Sequence, residues 1–163
     1  MSRQVLEVEH LLRQLVAEHQ KLLRHVEAHD QAMRRFDLQA MDAAAKLQDT
    51  TRLRIASMET RRRGAIQQIA RAHRLSEQLT IQKLAELYPD RAASLLALRD
   101  ELKDVASQVA AKTYVASRLA GSVLGHLNTA IRFLAGAVER TGLYTKTGAP
   151  QVSSRIGIMN AVG

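Results

Sequence analysis

Residues 5–36, VLEVEHLLRQLVAEHQKLLRHVEAHDQAMRRF, carry the clearest periodicity in this chain of 163 residues. Their apolar residues recur at alternating steps of three and four, at Val5, Val8, Leu12, Leu15, Leu22, Val26, Met33 and Phe36. His19 and His29 occupy the two positions at which that series has no apolar member. A heptad pattern of this length is typical of a helix that packs along its whole length against other helices. We therefore expect a first helix over about residues 3–35.

Three further helices follow from capping residues and apolar periods. Asp37 is a good N-cap for a second helix over about residues 38–74, and Thr80 for a short third helix that ends before Pro89. We expect Asp90 to cap a very long last helix, after which glycines and Pro150 end the helical period. The sequence thus predicts an all-α fold, an elongated antiparallel helical bundle, with a bundle domain at 1–141 and a flexible C-terminal tail at 142–163.

Composition excludes several classes of protein. Apolar residues make up 46% and charged residues 25%, close to the average of globular proteins, so general disorder is not expected. Five aromatic residues and two prolines are too few for a typical β-sandwich. The absence of cysteine removes disulfides and thiol chemistry. Charged residues interrupt the first twenty positions and every long apolar stretch, which favours a cytoplasmic protein without a signal peptide or membrane span.

Metal binding and catalysis are not expected from the motifs. Glu7-x-x-His10 has the spacing of carboxylate-bridged metal sites in helical bundles, but such sites need the motif twice, and it occurs once. His25 and His29 share one helix face without the glutamate position of a zinc protease helix. No nucleophile elbow and no glycine-rich phosphate loop is present. The sequence therefore predicts no metal, no cofactor and no enzymatic activity.

The charge pattern leaves two other functions open. The net charge is +8, and its densest source is an arginine-rich stretch over residues 52–74, which raises the hypothesis of a basic helical nucleic-acid-binding protein. These arginines fall on several helix faces without aromatic residues for base stacking, so a solvated surface with pairs such as Glu59 with Arg63 is the preferred interpretation. The heptads of the first helix also suit a coiled-coil homodimeric adaptor, so a homodimer stays open as well.

The last helix carries more apolar surface than the first two helices can obviously cover. The surplus, which also includes Leu124, predicts a partner-binding surface formed by Leu119, Val123, Leu127, Ile131, Leu134 and Val138. Intramolecular core and homodimerisation would produce the same periodicity.

The order of elements, long helix, long helix, short helix, very long helix and tail, resembles the FlgN-type flagellar export chaperones over nearly the whole chain. The resemblance rests on Phe36-Asp37-Leu38 at the first helix junction, Met58–Arg62, Thr80–Leu84, and Leu143-Tyr144-x-x-x-Gly148 after the last helix. One departure is that Lys112 and Val115 stand where family members often carry an Asn-x-x-Asn pair.

The resemblance implies a cytoplasmic chaperone of type III export. Its partners would be the flagellar hook-associated proteins, those of the hook–filament junction, which it would bind, keep from assembling prematurely and deliver to the export gate. The residues implied in docking on the cytoplasmic domain of that gate are Tyr144 and Gly148.

Overall fold

The computed structural model describes residues 3–75 and 78–141, including all of their side chains except those of 136–141. That part of the chain forms four helices and no strand: α1 Arg3–Arg34, α2 Leu38–Ala72, α3 Ile81–Leu87 and α4 Pro89–Thr141. The predicted all-α fold is therefore confirmed, with helix ends within two residues of those expected. The chain divides into two compact units, Met1–Leu119 and Ala120–Gly163. The predicted tail, 142–163, lies outside the described residues, and its boundary stays a prediction.

Two of the three predicted N-caps are confirmed. The Asp37 side chain accepts a hydrogen bond from the Ala40 backbone nitrogen at 3.0 Å, and the Thr80 hydroxyl accepts one from the Lys83 nitrogen at 3.2 Å. The third prediction is wrong, because α4 begins at Pro89 and places Asp90 inside its first turn. Proline suits the first helical position, where its fixed φ matches the helix and its missing N–H is not needed. The Asp90 carboxylate then lies in the turn where the helix dipole favours negative charge.

The turn between α1 and α2 removes Phe36 from the heptad series. Phe36 has φ of 56°, in the left-handed region, and its side chain is 69% exposed. The Asp37 nitrogen donates a hydrogen bond to the Ala32 carbonyl oxygen at 3.0 Å, as is usual where a left-handed residue ends a helix. Only three residues separate α1 from α2, and the left-handed conformation of Phe36 lets the chain reverse within them. Phe36 therefore lies outside the helix, and Met33 is the last buried member of the apolar series.

In the first unit, α2 runs antiparallel to α1, and α4 runs parallel to it. The start of α1 shares a core with the end of α2, while Gln48 of α2 donates a hydrogen bond to the carbonyl oxygen of His25 at 3.4 Å. Along α4 the order is the same as along α1, since Ser94 bonds Glu9 and Lys112 pairs with Glu27. The other seven apolar members of the predicted α1 series are all buried: Val5, Val8, Leu12, Leu15, Leu22, Val26 and Met33.

The short helix α3 completes the core where α1 begins and α2 ends. The core cluster consists of Val5, Val8, Leu12, Ala65, Ile66, Ile69, Leu79, Ile81, Leu84 and Leu95. Leu84 of α3 and Leu95 of α4 are fully buried in it. The first stretch of α4 is thereby fixed against α1, α2 and α3.

Candidate functional site

The second unit presents large apolar side chains of α4 to solvent. Leu127, Ile131 and Leu134 are 52%, 62% and 67% exposed, and they follow one another at steps of four and three. Side chains at these steps share one helix face. Val123, on the same face, is half-buried. These four residues of α4 form an apolar stripe that the rest of the described chain leaves largely uncovered. We call this set the α4 stripe: Val123, Leu127, Ile131 and Leu134.

The remaining members of the predicted surface differ in position. Leu119 is the last residue of the first unit and is half-buried. The side chain of Val138 lies outside the described residues. The structure therefore brings together four of the six predicted residues on one described face of the second unit, and their role in binding stays a prediction.

Two more exposed apolar residues widen this surface. Leu124 is 66% exposed, and it lies three residues before Leu127 on the same side of the helix. Phe133, 76% exposed, was not among the predicted site residues. It lines a shallow depression of about 290 Å³ with Thr129 and Arg132. Adjacent residues on a helix point about 100° apart, so two large apolar side chains in sequence, Phe133 and Leu134, indicate an apolar surface wider than one stripe. That pattern is the signal in the sequence that could have identified Phe133.

A buried carboxylate that the sequence analysis did not single out joins α1 to α4. Glu9 Oε1 accepts hydrogen bonds from the Ser94 hydroxyl at 2.7 Å and from Arg13 at 2.5 Å, while Arg91 lies 3.5 Å from Oε2. The Ser94 hydrogen bond is the largest cause that lowers the pKa of Glu9, and the two guanidinium groups add to it against the opposing effect of burial. This cluster orients the first turns of α4 against α1, and it adjoins the core rather than the α4 stripe.

The basic stretch of α2 is partly neutralised by carboxylates. Arg62 donates a hydrogen bond to Glu59 at 2.7 Å, and Arg63 approaches the same carboxylate at 4.0 Å, so the expected pair of Glu59 with Arg63 is confirmed. Arg61 lies 3.8 Å from Glu7 of α1. The stretch therefore contributes to packing of α2 on α1 as well as to the surface charge.

Three other features expected or excluded from the sequence are a metal site, a membrane span and the residues that dock on the export gate. In the part of the chain that the structure describes, no three histidine or carboxylate side chains are grouped so that they could hold a metal ion. None of the helices over residues 3–75 and 78–141 combines the length and the apolar content that crossing a membrane requires. Tyr144 and Gly148, the residues expected to dock on the export gate, lie outside the described residues.

An all-α bundle whose longest helix leaves a row of leucine and isoleucine side chains uncovered is typical of proteins that bind other proteins. Comparison with protein families narrows this class. The family described as FlgN protein matches residues 1–151, so this chain belongs to the FlgN family of flagellar export chaperones. No curated protein and no solved structure matches it. The family resemblance drawn from the sequence is thereby confirmed.

Proposed function

We propose that this chaperone binds flagellar hook-associated proteins in the cytoplasm, prevents their premature assembly and delivers them to the export gate of the type III apparatus. The exposure of Leu127, Ile131 and Leu134 is the observation that supports this proposal best. Large side chains of this kind each gain about 1.5–3 kcal/mol on full burial, and half to two thirds of that gain is still available to a partner here. The family match to flagellar export chaperones supports the same conclusion.

The proposed mechanism is that the α4 stripe shields an apolar helix face of the partner. A terminal helical segment of a hook-associated protein has an apolar face that would otherwise pair with another copy of that protein. Laying that face on the α4 stripe removes both apolar surfaces from water, which favours the complex and blocks self-assembly at the same time. No covalent chemistry is needed, so no catalytic group or cofactor enters the mechanism.

Delivery is proposed to use the segment that follows α4. Tyr144 would supply one aromatic anchor, and Gly148 a position at which the backbone can adopt conformations closed to other residues. A segment that orders only on binding gives up conformational entropy, which keeps its affinity modest and allows release at the gate.

The variant Leu127→Asp tests the proposed surface. We expect it to weaken binding of a hook-associated protein at least tenfold, because an aspartate in an apolar contact must be desolvated without a partner. Affinity is measured by titration with a purified hook-associated protein, and helicity by circular dichroism. Gln68→Asp adds the same charge at an exposed position of α2, in the other unit, and should leave binding nearly unchanged.

Four results would count against the proposal. Equal binding by Leu127→Asp and Gln68→Asp would show that the α4 stripe is not the contact, and unfolding of Leu127→Asp would place Leu127 in an intramolecular core. In co-purification from a flagellated cell, recovery of nucleic acid, or of the chain alone as a tight homodimer, would support one of the two alternative functions instead.

Removal of the residues after Gly142 tests whether substrate binding and export-gate binding use different parts of the chain. We expect the truncated chain to bind hook-associated proteins as the full chain does and to lose binding to the cytoplasmic domain of the export gate. Both affinities are measured by pull-down with the purified partners, alongside the single variants Tyr144→Ala and Lys146→Ala. Tyr144→Ala should reproduce the loss and Lys146→Ala should not; a truncated chain without substrate binding would place the substrate contact in the tail.

A further inference from the structure

The second half of α4 has an unusual charge composition. Between Asp104 and Glu139 the chain has no aspartate or glutamate, whereas this interval contains Lys112, Arg118 and Arg132. The helix α1 carries charges of both signs along its length, and α2 does so as far as Glu59. A partner that lies along this part of α4 therefore meets cations and apolar side chains of that helix but none of its own carboxylates.

Two of the three cations in this interval, Lys112 and Arg118, belong to the first unit and already have favourable contacts. Lys112 pairs with Glu27 of α1 at 3.3 Å, and the Arg118 guanidinium lies 6.0 Å from the centre of the Tyr114 ring, within the range of a cation–π contact. Their charges are thus partly compensated within the chain.

Arg132, in the second unit, has different surroundings. The residues three and four positions away on its helix are Asn128, Thr129, Ala135 and Gly136, none of which carries a negative charge. Among the residues that the structure describes, no carboxylate lies within 4.0 Å of its exposed guanidinium, which adjoins Phe133 in the shallow depression. Ile131 of the α4 stripe is its immediate neighbour in sequence, so the long arginine side chain can reach the edge of a helix bound there.

We propose that the partner segment bound by the α4 stripe is an amphipathic helix whose flanks carry aspartate or glutamate, and that Arg132 selects it against basic helices. This inference rests on the proposed function and specifies the chemistry of the partner at the same surface. A guanidinium binds a carboxylate through paired hydrogen bonds, and it repels a lysine or arginine placed at the same edge. Apolar contact supplies affinity, and the arginine supplies the choice of partner.

Two synthetic peptides of equal length test the proposal on the full chain. Both have the same leucine stripe at helical spacing, one with glutamate and the other with lysine at the flanking positions. Binding is measured by fluorescence anisotropy at low salt and at about 0.15 M salt. We expect the glutamate peptide to bind about tenfold more tightly at low salt, with a smaller difference at the higher salt.

A matched pair of charge reversals separates Arg132 from the general basicity of the chain. Arg132→Glu and Arg71→Glu each lower the net charge of +8 by two, and Arg71 is an exposed arginine on α2. Arg132→Glu should abolish or reverse the preference for the glutamate peptide, while Arg71→Glu should leave it nearly intact. The inference would be overturned if the two variants had equal effects. It would also be overturned if the parent chain bound both peptides equally, preferred the lysine peptide, or bound neither.

The proposed function is tested separately, by measuring how Leu127→Asp changes the affinity for a hook-associated protein. A chain that binds that protein through Leu127 but shows no peptide charge preference would keep the proposed function and lose only this inference. A chain that shows the preference but does not bind a hook-associated protein would retain an acidic-helix site with a different partner.

Discussion

Leu95→Ala is expected to lower the free energy of unfolding by about 2–5 kcal/mol, the usual cost of replacing a buried leucine. Leu95 is fully buried in the core cluster, where residues from α1, α2 and α3 surround it. The truncation removes apolar contacts and leaves a cavity that the helices around it can close only in part. The change is measured by urea unfolding followed by circular dichroism, with the slopes of the transitions compared between variants.

Leu134→Ala is the matched control, because it makes the same truncation on the same helix at a position that is 67% exposed. It should change the free energy of unfolding by no more than about 0.5 kcal/mol. If Leu134→Ala cost as much as Leu95→Ala, Leu134 would belong to an intramolecular core, and the α4 stripe would not be available to a partner.

Glu9→Gln is expected to destabilise the chain by about 1–3 kcal/mol at neutral pH, because the substitution removes a buried charge that accepts hydrogen bonds from Ser94 and Arg13. Folding lowers the pKa of Glu9 from its ordinary value of 4.5. The carboxylate therefore contributes its full stabilisation above that ordinary value and loses it as the pH falls through the lowered pKa of the folded state. The difference in unfolding free energy between the parent chain and Glu9→Gln should accordingly shrink in acid.

Glu101→Gln, at an exposed position of α4, is the control for this pH dependence. It should have little effect on stability at either pH. A difference between the parent chain and Glu9→Gln that stays constant from neutral to acidic pH would contradict the stabilising role of the ionised carboxylate.

Local chemistry made much of the fold predictable. The α1 heptads, the hydrogen bonds of Asp37 and Thr80, and the ends of the helices depend on residues within a few positions of one another. The turn at Phe36 follows from the short distance between α1 and α2, since a left-handed residue is needed to reverse the chain there. The error at Asp90 has a local cause as well, because proline occupies the first position of α4.

The candidate site was less predictable, because exposure depends on what lies across from a helix. Leu95 and Leu134 belong to the same kind of apolar series on α4, yet one is fully buried and the other exposed. Glu9 could not be recognised from its neighbours in sequence, because Ser94, which donates a hydrogen bond to it, is 85 residues away. Phe133 was missed because it falls outside the series of three- and four-residue steps to which Leu134 belongs.

The parallel arrangement of α1 and α4 also affects the order in which the chain can fold. The contact between Gln48 and His25 closes a loop of 23 residues between α1 and α2, whereas the contact between Ser94 and Glu9 closes one of 85. The entropy lost on closing a loop rises with its length, and contacts distant in sequence slow folding. During synthesis, α1 and α2 can therefore form a hairpin before the first turns of α4 are available to pack on it. Until then, the side of α1 that α4 will cover stays open to water.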